Sequence, residues 1–164
     1  MNAIRLVLLM VGLTLLASCA PSKFRTYNGP PVTSVQVWKT DRVMALMSGT
    51  RVLKTYDFEM GFAPQGHKYF EGDGRTPEGV YYIDRRNPNS DYHLSIGISY
   101  PDEEDIARAL EAGLEPGGDI FIHGTPKLFA DRTDWTAGCI AVSNDAVEEI
   151  YAMVQDGTPI VIYP

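Results

Sequence analysis

The stretch that decides the reading is residues 119–142, DIFIHGTPKLFADRTDWTAGCIAV. Asp119-Ile120-Phe121-Ile122-His123, entered from the turn signal Gly117-Gly118, reads as a short buried strand that ends on a histidine. Thr136-Ala137-Gly138-Cys139 follows, then the apolar Ile140-Ala141-Val142. A glycine directly before a nucleophile lets the backbone turn sharply and leaves amide N–H groups free to face an oxyanion. A cysteine nucleophile needs a base to hold it as thiolate at neutral pH, and His123, sixteen residues upstream, is the candidate. Taken singly, a buried apolar cysteine and a satisfied core histidine account for the two residues. Together they point to catalysis, and the cysteine count strengthens that reading.

There are two cysteines in 164 residues. Arg5, the apolar run Leu6–Leu16 and then Leu16-Ala17-Ser18-Cys19 form a secretory signal with a lipobox-like end, because the run is too short to span a bilayer comfortably. Residues 1–18 are therefore expected to be a lipoprotein signal peptide, with Cys19 lipidated at the mature N-terminus and inserted in the membrane through its lipid. Ala20 lacks the acidic character of an inner-membrane retention signal, so the expected address is the periplasm, anchored to the outer membrane. Cys139 is then a lone thiol in an oxidising compartment, where free thiols are normally paired or avoided.

Further outward, residues 19–31 are polar, with Pro21, Gly29, Pro30 and Pro31, and read as a lipidated tether. Residues 32–164 form one domain, a length suited to a single core. Strands are expected at Val32–Thr40, with Val35, Val37 and the stem of Lys39 on one face, and at Arg42–Met47 and Arg51–Met60. Gly61–Gly79 is a Gly/Pro-rich loop of the kind that is usually functional. Strands return at Val80–Asp84, Tyr92–Tyr100 and Pro159–Tyr163. Asp102–Ala112 and Asn144–Val154 read as helices, the second with Val147, Ile150, Tyr151 and Val154 on one face. The fold expected is mainly β with about two helices. A formal charge of −7 without basic clusters excludes nucleic acid as a partner. Three histidines without clustered acidic ligands suggest no metal.

The motifs resemble those of the L,D-transpeptidase catalytic-domain family. Its signature is a His-Gly, a spacer, then Ser/Thr-His-Gly-Cys, which His123-Gly124 and Thr136-Ala137-Gly138-Cys139 approach. Gly72 to Tyr81 resembles the family's Gly-x-x-x-Thr-Pro-x-Gly-x-Tyr segment, and Asp156–Ile162 its closing strand. The resemblance covers about residues 33–163 and implies a β-sandwich of that family's type, acting without cofactor on peptidoglycan stem peptides; a monomer is expected, although the sequence itself does not speak to oligomeric state. It implies Cys139 as nucleophile, His123 as general base and acid, the backbone carbonyl of Gly124 as the group orienting the ring, and amides around Gly138 as the oxyanion site. Two positions depart from the pattern: Ala137 stands where the family has histidine, and Ala141 where it often has Arg or Asn. His93 is expected on a strand facing the groove, within a few ångströms of the Cys139 sulfur, as a substitute imidazole. Arg75, Thr136 and His67 are further groove candidates, whereas Trp135 and Tyr92 read as packing residues. Transpeptidation, hydrolysis of the same bonds, and a catalytically silent wall-binding lipoprotein all remain open at this level.

Overall fold

Alternation sets the first strand. In β1 (Ser34–Trp38) Val35 and Val37 are fully buried between half-buried neighbours, the period-two pattern of a strand with one face on a core. The expected burial of Lys39 also holds, because its ammonium reaches Gly66 O at 2.6 Å, Thr76 O at 3.1 Å and Glu78 at 2.7 Å. β2 (Val43–Ser48) and β3 (Arg51–Asp57) complete an antiparallel meander. β3 stops at Asp57 rather than Met60, since the chain then leaves the meander to pair with the cysteine loop.

The computed structural model describes residues 22–164; the signal peptide and Cys19 lie outside the described residues. The remaining elements are β4 (Gly79–Asn87), β5 (Ser95–Ile98), α1 (Glu103–Glu111), β6 (Phe121–His123), a 3-10 turn at Lys127–Phe129, β7 (Ile140–Ala141), α2 (Asn144–Met153) and β8 (Pro159–Tyr163). Eight strands form one sheet in the order β3-β2-β1-β8-β4-β5-β6-β7. Among the described residues the fold is mainly β with two helices, as expected, and its layers belong to one curled sheet. β4 joins the halves: Gly79–Tyr82 pairs with β8, and after an irregularity at Ile83/Arg85 the rest pairs with β5. One apolar cluster is shared by both halves, from Val35 and Leu46 to Ile96, Ile122 and Ile140. Each such buried aliphatic side chain contributes about 2 kcal/mol relative to exposure.

Both helices begin where their sequences provide a cap. Asp102 accepts the amides of Glu104 and Asp105, while Asp105 accepts the Asp102 amide, a reciprocal capping box. Ser143 caps α2 through the Ala146 amide, and α2 buries Val147, Ile150 and Met153 against β5 and β6. Tyr151, expected on that face, packs against the core while partly buried, with the Arg86 guanidinium 3.9 Å from its ring centre. Within the segment read as a tether, Lys23 and Arg25 contact the domain. Arg25 pairs with Asp145, Glu148 and Glu149 of α2, and Lys23 donates to Pro88 O and His93 O.

Candidate active site

The cysteine loop is held on both sides. Ile140 and Ala141 pair in parallel with Ile122 and His123 of β6. On the other side Glu59 exchanges two 2.8 Å backbone hydrogen bonds with Ala141, and Phe62 N–H donates to Thr136 O at 3.0 Å. Within the loop the Thr136 hydroxyl donates to Cys139 O at 2.7 Å and accepts the Gly138 amide at 3.2 Å. Thr136 is therefore the loop's internal tie as well as part of the groove. Gly138 sits at φ +135, and a Cβ there would come within 2.6 Å of Arg75 O. Only glycine satisfies both the conformation and the close approach. The Gly138 amide, expected at the oxyanion site, is thus turned to Thr136 instead. The Cys139 amide has no protein acceptor among the described residues.

The Cys139 sulfur lies 3.4 Å from the Phe121 amide and 3.5 Å from Asp119 O. The second contact suits a neutral thiol, which can donate to a carbonyl, and repels a thiolate. Burial pushes the Cys139 thiol above its ordinary value, with the Phe121 amide only partly opposing it. His123 is 4% exposed. Its Nδ1 lies 2.7 Å from Gly124 O, so a proton on Nδ1 is donated to that carbonyl and Nε2 keeps its lone pair. Burial pushes the imidazole down, against the pull of the Gly124 carbonyl. Both shifts favour neutral thiol beside neutral imidazole. No hydrogen bond joins Cys139 to His123 among the described residues, but the two line one groove.

That groove has a volume of about 480 Å³ and is bounded by Asn87, Ser90–Tyr92, Phe121, Phe129 and Trp135 as well as the cysteine loop. Its aromatic wall escaped the sequence reading. The Tyr92 ring covers His123 with centroids 4.5 Å apart, Trp135 stands 5.6 Å from the imidazole, and Phe129 stacks on Trp135 at 4.3 Å. These residues come from three separate segments, and no local pattern marks them. Gly124 is required beside them, because a Cβ there would meet Asn144 Oδ1 at 2.4 Å and Tyr92 O at 2.8 Å.

Three expected groove residues lie elsewhere. His93 adopts φ +74, and its Nε2 lies 2.8 Å from Glu148 of α2. The strand expected to point it at the sulfur begins only at Ser95, so its ring is not part of the groove lining. His67 ties the Gly-rich loop to α1, with Nε2 3.0 Å from Asp105 and Nδ1 3.1 Å from the donating Glu78 amide. Arg75 acts through its backbone: its carbonyl backs Gly138, while its guanidinium reaches towards His67 O and the Tyr69 ring.

A curled β domain carrying these ordered motifs around one groove defines the class. The chain belongs to the L,D-transpeptidase catalytic domain family (YkuD), whose model matches residues 33–162. It is 28% identical to YafK of Escherichia coli (strain K12) over 83% of this chain and 55% of that protein. Among solved structures it is similar to the helical cell shape determining protein Pgp2 from Campylobacter jejuni (27% identity, TM-score 0.64, covering 83% of this chain and 49% of that one). Bd1075 of Bdellovibrio bacteriovorus shares the fold at 22% identity, with TM-score 0.60 over 81% of this chain and 48% of that one. The chain spans about half the length of the relatives it matches.

Proposed function

We propose that this protein is a cysteine-dependent acyltransferase acting on the stem peptides of peptidoglycan. The observation that carries the reading is the shared groove of Cys139 and His123, in which Gly124 O fixes the imidazole with Nε2 as the basic nitrogen. On substrate binding His123 takes the Cys139 proton as the sulfur attacks the carbonyl between the L- and D-centres. The tetrahedral oxyanion is received by the Cys139 amide, a type of donor worth about 3–4 kcal/mol in other enzymes. The C–N bond then breaks, the imidazolium returns its proton to the departing amine, and a thioester remains. A second amine resolves the thioester in transpeptidation, or water does in hydrolysis. Catalytic hydrogen bonds often tighten only in the substrate complex, which accommodates the looser arrangement of the free groove.

Family membership and the similarity to a cell-shape protein both support the wall as the site of action. The signal-like residues 1–18 and Cys19 support a periplasmic, outer-membrane-anchored form. The test is incubation of the protein with purified muropeptides, followed by mass spectrometry, beside a Cys139→Ser variant. Cross-linked dimers from the wild type alone establish the transferase. Shortened or severed stems establish a hydrolase on the same bonds, and unchanged substrate a silent wall-binding protein.

A further inference from the structure

We propose that the N-terminal segment Lys23–Arg25 is a positioning clasp of the groove, holding Tyr92 over His123 through the loop at residues 88–93. Lys23 Nζ donates to two carbonyls at the ends of that loop, Pro88 O at 2.7 Å and His93 O at 2.9 Å. Arg25 gathers Asp145, Glu148 and Glu149 on α2. Glu148 in turn holds His93 Nε2 at 2.8 Å. The loop is thereby fastened from two directions, one across its ends and one to the helix behind it.

What is fastened bears on the site. Tyr92 directly precedes His93, and its ring lies over the imidazole although the residue itself is 40% exposed. Its carbonyl accepts the Gly124 amide at 3.0 Å and the Leu94 amide at 3.0 Å. Gly124 is the residue whose own carbonyl fixes Nδ1 of His123. Displacement of the loop would therefore disturb both the cover of the imidazole and the backbone that orients it. His93 adopts φ +74, a conformation rare for a residue with a side chain, so outside restraints must maintain it. The ionisable groups sharing the groove with His123 are Asp91, Tyr92, Asp119 and Cys139. On α2, packed against β6, Asp145 and Glu148 are occupied by Arg25 and His93.

The test is a Lys23→Ala/Arg25→Ala double variant of the full chain. Lys54→Ala serves as a control that breaks a 3.2 Å pair with Glu149 on the same helix. Two structural readouts do not depend on the proposed reaction. In the double variant hydrogen exchange at the Gly124 and Leu94 amides is expected to accelerate on the order of tenfold, as local opening becomes easier. The His123 titration, followed by NMR, is expected to move up towards the ordinary imidazole value as its cover loosens. Tyr92→Ala should reproduce that shift with the clasp intact, Tyr92→Phe should not, and Lys23→Ala/Arg25→Lys should show a smaller shift than the double alanine variant. Unchanged exchange and an unchanged His123 titration would overturn the clasp. If both readouts move while turnover of muropeptides is unaffected, the clasp stands and the assignment of His123 as catalytic base, on which its functional value rests, fails.

Discussion

Replacing Gly138 with alanine isolates the geometry that presents Cys139. The backbone there lies at φ +135, which costs a residue with a side chain on the order of 1–3 kcal/mol. The new Cβ would also stand 2.6 Å from Arg75 O and 3.2 Å from the Ile120 Cδ1. A backbone carbonyl cannot rotate away as a side-chain tip can. Relieving that contact resembles overpacking, worth about 1–3 kcal/mol more. The expected loss is about 2–6 kcal/mol, a large share of the roughly 5–15 kcal/mol that holds a domain folded. At about 3–4 °C per kcal/mol for a domain of this size, the melting temperature should fall by roughly 6–24 °C. Gly157→Ala is the matched control: its φ is +83, but a Cβ there meets nothing within 4 Å. It should lose only the conformational part, about 1–2 kcal/mol. Melting by circular dichroism and iodoacetamide labelling of Cys139 would be measured on both variants. If Gly138→Ala melts like Gly157→Ala and its thiol labels as in the wild type, the Arg75 carbonyl does not shape the loop.

Alkylation of Cys139 should be slow at neutral pH and rise with a midpoint above that of an ordinary thiol, because burial opposes the thiolate. A midpoint below the ordinary value would show a preformed thiolate–imidazolium pair. Lys68 and Asp73 form an ion pair with side chains 3% and 4% exposed, so Asp73→Asn, which strands the lysine, should cost about 3–5 kcal/mol in urea unfolding. Burial alone would raise Asp73, but the Tyr69 and Arg75 amides and Lys68 outweigh it and hold it below the usual carboxylate range. Its stabilisation is therefore full above the unfolded carboxylate value and lost as pH falls through the lower folded value. The variant should flatten that acid limb, and an unaltered limb would place the acid sensitivity elsewhere. Cys19→Ala should release the protein from the membrane fraction without changing Cys139 labelling. Persistence in the pellet with residues 1–18 attached would indicate an uncleaved anchor.

Local chemistry was legible wherever a residue's neighbours in the chain decide its state. Alternation of Val35 and Val37 defined β1, Asp102 defined the start of α1, and the 3.6 period of Val147 and Ile150 defined the buried face of α2. His123 and Cys139 stood out because a lone thiol after a glycine and a strand-ending histidine are unusual one by one and chemically complementary as a pair. Other features depended on contacts between residues far apart in sequence. β7 is two residues long, too short for any period, and exists because Ile122 and Glu59 supply its partners. Tyr92 and Trp135 read as packing residues until the curl of the sheet brought their rings to His123 from segments some forty positions apart. The run Tyr92–Tyr100 reads as a strand through His93, yet a carboxylate 55 residues away holds the His93 ring against α2. Proline and polar residues make positions 19–31 read as a tether, and only the fold gives Arg25 within it acidic partners more than a hundred residues downstream. Hydrophobic period and capping act within one turn or one strand, so the sequence alone determined the longer elements and singled out Cys139 and His123 as the candidate pair. Which side chains surround that pair was decided by loop closure and charge pairing, which exist only once the sheet has curled.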